Sequence, residues 1–377
     1  MKGFVIEGLG YANFFARITA GLSESERRKI VFFVRDDEAF NFIAQRAPSC
    51  QLYRIPDNAS VPESENIAQS KPALFKRIHR DITQSFEHLI GNADYESCWR
   101  CYFSTLMYFS YAIKELNITK LIMCSGCGLY SKAAATASYI LQIETRFIEL
   151  ANLPGKVFID PQGTNASSML ASRPELLDSY PDVDPVKHHR WMKKYVEEKR
   201  KILPQAQGNP LSSLIAHISH QTVLDSGKTF IFLPLQVSND AQLWMYAKHK
   251  NQDAIAHAVK RAAESGCTLA VKIHPAEMSE DEIKHIERLR TELGFYLTLE
   301  STNELIQQAE SVITINSTVG LEAMLYDKNV EILGECFYKH FNASRLKKYI
   351  HHYLFSDVHF FGNSIINRKT AQAFLAR

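Results

Sequence analysis

Short, almost wholly apolar runs, each followed by a turn and then a helical pattern, recur along both halves of the chain. They constrain its fold more than any other feature. In the first half they are Phe4-Val5-Ile6, Ile30–Val34 and Lys120–Cys124, with a more polar strand at Arg146-Phe147-Ile148. In the second half they are Lys228–Leu233, Leu269–Ile273, Ser311–Ile315 and Val330–Leu333. A strand that is apolar on both of its alternating sides is covered on both faces, the condition of a parallel strand between helix layers. Repeated strand, turn and helix therefore predict parallel α/β layers rather than a sandwich. At 377 residues the chain suits two such domains. The Pro-punctuated, charged stretch from Ser172 to Gln207, with a helical block from Trp191 to Arg200, marks the boundary. The expected division is 1–205, 206–345 and a closing segment, 346–377, that packs back on the first domain.

Several function classes are excluded or disfavoured at this level. Basic and acidic residues number 43 and 41, a net charge of +2 without a dominant basic stripe, so nucleic acid is not the expected partner. No apolar run reaches the roughly 18 residues of a membrane span, and Glu7 ends the N-terminal apolar run without a cleavage-like site. The seven cysteines then read as reduced thiols in a cytosolic setting. The spacing Cys98-x2-Cys101, Cys124-x2-Cys127 comes near that of a zinc ribbon, but its surroundings are those of a helix and a strand, which suit buried thiols. The basic, aromatic residues from Arg345 to Tyr353 fit either a contact with anionic lipid or a packed terminal segment.

In open parallel sheets ligands bind at the carboxyl ends of the strands, so the chemistry is sought there and in a cleft between the two halves. Gly8-Leu9-Gly10 approaches a dinucleotide fingerprint, with Asp36 or Asp37 as the distant acid, but Asn13 stands at the third glycine position; a tight first turn explains it equally. Glu149 directly follows a strand and either faces the cleft or caps the next loop. Gln236 and Asp240 bracket the loop after Lys228–Leu233, where Asp240 suits a nucleophile in sugar chemistry or a helix cap. Lys272 and His274, two apart at a strand tip, suit a phosphate. Asn316, Ser317 and Thr318 open a helix whose N-terminus favours anions, with Gly320 for close approach and Glu322 placed for a ribose diol.

Taken in order, "PLQVSND", "KIHP" and "NSTVGLEAMLYDKNVEILG" resemble the bacterial capsule polysaccharide biosynthesis family, whose better-known members are retaining β-Kdo (3-deoxy-D-manno-oct-2-ulosonic acid) glycosyltransferases. "GLGYANFFARI" and "FIELANLPGKVFIDPQGTNASS" are similar to its first glycine turn and its central segment, so the resemblance spans roughly residues 3 to 335. It implies two Rossmann-like domains facing a cleft (the GT-B arrangement), CMP-Kdo as donor, and no metal or other cofactor. Asp240 would be the nucleophile and Glu149 an acid/base. Lys272, His274, Ser317 and Thr318 would meet the phosphate and Glu322 the ribose. A glycan or lipid-linked glycan would be the acceptor, at the inner face of the cytoplasmic membrane and near polysaccharide assembly machinery. "CSGCGLYSKAA" and "CFYKHF" depart from the family pattern where acceptor and sugar would be read. The alternatives are a transferase using another sugar nucleotide, or a non-catalytic partner in assembly or export.

Overall fold

The computed structural model describes residues 1–56, 61–151, 153–198 and 208–377. The boundary expected at 205 and Asn152 of the central segment lie outside the described residues. The chain divides into two compact units, one of Met1–Ser172 with His352–Arg377 and one of Arg173–His351. The helix Pro185–Glu198 thus belongs to the second unit.

The strands in chain order are β1 (Lys2–Ile6), β2 (Ile30–Val34), β3 (Gln51–Arg54), β4 (Lys120–Cys124), β5 (Glu144–Leu150), β6 (Lys156–Asp160), β7 (Phe230–Pro234), β8 (Thr268–Lys272), β9 (Tyr296–Leu297), β10 (Ser311–Thr314), β11 (Asn329–Ile332) and β12 (Phe355–Ser356). In the first unit they lie in the order β12-β6-β5-β4-β1-β2-β3, parallel from β5 through β3, with β6 antiparallel to β5 and β12 antiparallel to β6. In the second unit the order is β11-β10-β7-β8-β9, parallel throughout.

The apolar runs fill two core layers in each unit because side chains alternate across the pleat. Phe4 and Ile6 of β1 join Phe32 and Ile122 in one layer of the first unit, while Val5 joins Phe33 and Met123 in the other. Ile231 and Leu233 of β7 face one layer of the second unit, Phe230 and Phe232 the other. Each half is accordingly a mixed α/β unit of Rossmann type, the expected class.

Residues 352–377 complete the first unit. Phe360 stacks on Phe14 at 4.9 Å, and Phe374 meets Phe14 edge-on at 5.7 Å. Such pairs add about 0.5–1.5 kcal/mol each beyond their buried area. The Lys2 ammonium donates to the Leu375 carbonyl at 2.5 Å. Several of the aromatic and basic residues between Arg345 and Tyr353 have partners within the chain. Tyr349 and Tyr353 are buried, Arg345 grips Asp178 with two bonds of 2.9 and 2.6 Å, and Lys348 pairs with Asp182 at 3.2 Å. Among the described residues no helix is long and apolar enough to cross a membrane.

Candidate functional site

Strand order reverses in the second unit between β7 and β10, the place where open α/β sheets form a crevice. Gln236 follows β7 and Asn316 follows β10, and the two bind reciprocally. The Gln236 Nε2 group donates to Asn316 Oδ1 at 2.9 Å, and the Asn316 backbone N–H donates to Gln236 Oε1 at 3.1 Å. Asn316 Nδ2 also donates to the Gln242 carbonyl at 2.9 Å. Asn251 clasps the Gln236 backbone, its Oδ1 accepting at 3.3 Å and its Nδ2 donating at 2.9 Å. Both Gln236 and Asn316 are buried, so they hold the loops together rather than offer side chains to a ligand.

Asp240 begins the helix Ala241–Tyr246, its Oδ1 accepting the Gln242 N–H at 2.8 Å. It also lies near His274, where it favours the charged imidazole. Burial outweighs it and Glu277, so the His274 pKa falls below its usual value. The Ala276 N–H donates to His274 Nδ1 at 3.1 Å, so the neutral ring carries its proton on Nε2. Burial also pushes Lys272 down to about 8 against the pull of Glu300, and its ammonium donates to the Glu300 carbonyl at 2.6 Å. A carboxylate and a lysine near its titration point thus both lie within electrostatic reach of a neutral imidazole N–H donor at the ends of β7 and β8.

At the end of β10, Ser317 caps the helix Thr318–Leu325, its Oγ accepting the Val319 N–H at 3.2 Å. The Gly320 N–H returns to the Ser317 carbonyl at 3.0 Å. Two expectations change here. A Cβ at Gly320 would stand 2.6 Å from the Tyr338 hydroxyl and 2.8 Å from Thr314 Cγ2, so the glycine admits a buried tyrosine rather than a ligand. Glu322 is buried and accepts the Tyr195 hydroxyl at 2.9 Å, so a ribose would share or displace that bond. Trp191 stacks on Tyr195 at 5.4 Å and 19°, which fixes the phenol over the carboxylate.

Glu149, Gly8 and Gly10 lie in the first unit. Glu149 Oε1 accepts the Tyr11 hydroxyl at 3.2 Å and the Leu150 N–H at 3.0 Å. Gly8 starts the helix Leu9–Ala20 with φ +87, a conformation that suits glycine. The dinucleotide reading loses its other parts. Asn13 Nδ2 donates to the Gly362 carbonyl at 3.1 Å, Asp36 caps the helix Asp37–Arg46 through the Ala39 N–H at 2.7 Å, and Asp37 pairs with Arg54. The cysteines are separated too: Cys98 lies in the core layer of Val5 and Cys124 in that of Phe4. Burial pushes the Cys98 thiol up to about 11 and the Cys127 thiol up to about 12. Among the described residues no group of three or more His, Cys, Asp or Glu could hold a metal ion.

Three carboxylates escaped the sequence reading. Glu277 is buried and accepts from Ser238 N at 2.7 Å, Ser238 Oγ at 2.9 Å, Met278 N at 2.9 Å and Ser279 N at 2.8 Å, tying the loop after β7 to the loop after β8. Asp160 is buried and accepts from Gln162 N at 2.8 Å, Met169 N at 3.0 Å and the Tyr353 hydroxyl at 2.6 Å, among others. Glu7 ends β1 beside the reversal of strand order in the first unit and accepts the Ser131 hydroxyl. Desolvation pushes Glu7 up to about 7, Ser131 opposing and the charge of Glu87 assisting. A turn-forming Asp-Pro at 160–161 was the only local signal among the three.

Residues 178–343 match the family described as capsule polysaccharide biosynthesis protein, the family to which the motifs pointed. Protein FixF of Sinorhizobium fredii is 28% identical over 197 residues, 51% of this chain and 43% of that protein. The capsule polysaccharide export protein KpsS of Escherichia coli is 28% identical over 114 residues, 28% of this chain and 29% of that protein. The chain thus spans less than half the length of these curated relatives. Among solved structures, the β-Kdo 2,7 transferase of Thermosulfurimonas dismutans KpsC aligns with 92% of this chain and 99% of its own, at 13% identity and a TM-score of 0.40. The UDP-GlcNAc 2-epimerase of Methanocaldococcus jannaschii aligns with 100% and 99% at 11% identity and a TM-score of 0.34.

Proposed function

We take residues 178–343 as a segment of the capsule polysaccharide biosynthesis family and propose that the chain is a glycosyltransferase that moves Kdo from CMP-Kdo to a glycan or glycolipid hydroxyl with retention. One observation carries the reading: Asp240 and Lys272 both act electrostatically on His274 at the ends of β7 and β8, where strand order reverses and Gln236 and Asn316 bind each other. In this reading the Asp240 carboxylate attacks the anomeric carbon, and the bond from that carbon to the phosphate oxygen of CMP breaks. CMP leaves with the bonding pair, its charge met by protonated Lys272 and by the Nε2–H of His274. The acceptor hydroxyl then displaces Asp240, Glu149 is assigned its proton, and two inversions give retention.

The test is transfer from CMP-Kdo to a capsule-type acceptor. Asp240→Ala is expected to lower kcat by about 10³-fold or more, and Glu149→Gln by about 10²-fold. Full activity of Asp240→Ala sinks the nucleophile. A second reading, a non-catalytic partner in assembly or export, is favoured by the capping bond of Asp240 and the Tyr195 bond on Glu322. It predicts CMP binding without donor hydrolysis.

A further inference from the structure

The first unit contains a cavity of about 590 Å³. That volume falls within the roughly 300–1,000 Å³ of small-molecule sites. It opens beside the helices Leu9–Ala20 and Asp37–Arg46 and the residues around 363–365, with Arg17, Arg46, Asn13, Gly10, Phe42 and Ile365 in its walls.

Arg17 is only 7% exposed. Its Nε donates to the Ser364 carbonyl at 2.8 Å, and Nη1 donates to the carbonyls of His359 and Phe360, each at 3.0 Å. These bonds fix the guanidinium without neutralising it. Among the described residues Arg17 has no carboxylate partner, and Nη2 makes no hydrogen bond. Nη2 is not enclosed, so solvent or an anion can reach it. Gly362 bears on the same group: a Cβ there would come within 3.1 Å of Nη2.

The remaining walls fit the same ligand. Arg46 is exposed, lies over the Phe42 ring at 5.7 Å, and has no carboxylate partner among the described residues. A Cβ at Gly10 would meet nothing within 4 Å, so the helix is bare backbone where it borders the cavity. Phe42 and Ile365 supply apolar surface of the kind that sugar C–H faces rest on, and the Asn13 side chain adds a polar group.

We propose that this cavity binds an acidic saccharide, its carboxylate set between Arg17 and Arg46 and its ring against Phe42 and Ile365. The site lies wholly in the first unit and does not rest on the donor or transfer proposed above. A chain that transfers nothing and still binds the acid keeps it.

Calorimetric titration of the intact chain tests the site with three probes: a uronic-acid tetrasaccharide, the same tetrasaccharide with its carboxylates reduced to alcohols, and inorganic phosphate. The acid is expected to bind about tenfold or more tighter than either of the others, and salt to weaken it. Arg46→Ala and Gly10→Leu are each expected to lower its affinity about tenfold, the first without altering the thermal shift caused by CMP. Neither position is packed, so both variants are expected to fold; Arg17→Met, which also loses three carbonyl bonds, is the harsher companion. Equal binding of acid and reduced saccharide overturns the proposal, as does unchanged binding in both variants. Phosphate binding as tightly as the acid overturns the saccharide assignment.

Discussion

Glu7 and Lys272 each sit at a strand end with a burial-shifted proton, the first shift bearing on stability and the second on ligand affinity. The Glu7 carboxyl titrates near 7 when folded, against 4.5 without the fold, so the folded chain holds a proton that the unfolded chain has released between those values. Stability should therefore fall as pH rises through that window. Glu7→Gln keeps an acceptor for Ser131 and should remove the fall, gaining on the order of 2–3 kcal/mol above pH 7 by urea denaturation. Lys272 is charged below about 8 and neutral above it. If it meets the CMP phosphate, affinity should be intact below that value and decline as pH rises past it, approaching tenfold per unit. Titrations of CMP from pH 6.5 to 9.5 would read this, and Lys272→Met should bind weakly with a flat profile.

Between residue and fold, the loops after the strands are held by buried polar pairs. Glu277→Ala would leave the Ser238, Met278 and Ser279 N–H groups without their acceptor and is expected to cost about 3–5 kcal/mol in chemical denaturation. The same scale separates what the sequence reveals from what it hides. Buried strands such as Ile30–Val34 announce themselves, because two covered faces need an unbroken apolar run. Strands β3, β9 and β12 at the sheet edges were missed; they are short and partly exposed, with little apolar signal. The antiparallel β6, Lys156–Asp160, was legible only as part of a motif. At the candidate site, Asp240, Lys272 and His274 can be picked out from the sequence because a strand end and a turn residue fix each of them locally. The neighbours that reassign Gly320 and Glu322 are Tyr338 and Tyr195, which only the tertiary fold brings there. Glu277 and Asp160 resemble surface acids until their backbone partners are known.

At the scale of the whole molecule, each unit has its own pair of core layers and is expected to melt as its own cooperative transition. CMP should raise the transition of residues 173–351 alone, by about 2.7 kcal/mol at a hundredfold excess over Kd. Hydrogen exchange read by mass spectrometry would assign which unit is protected. Protection confined to the first unit would contradict the donor assignment.

The first unit is interrupted in sequence, and synthesis is vectorial. Residues 1–172 leave the ribosome long before residues 352–377 exist, at a translation rate of roughly 5–20 residues per second. For that interval Phe14 lacks Phe360 and Phe374, Lys2 lacks the Leu375 carbonyl, and Asp160 lacks Tyr353. The continuous second unit has all its residues first. The second unit can therefore close while residues 1–172 still await the partners that residues 352–377 bring.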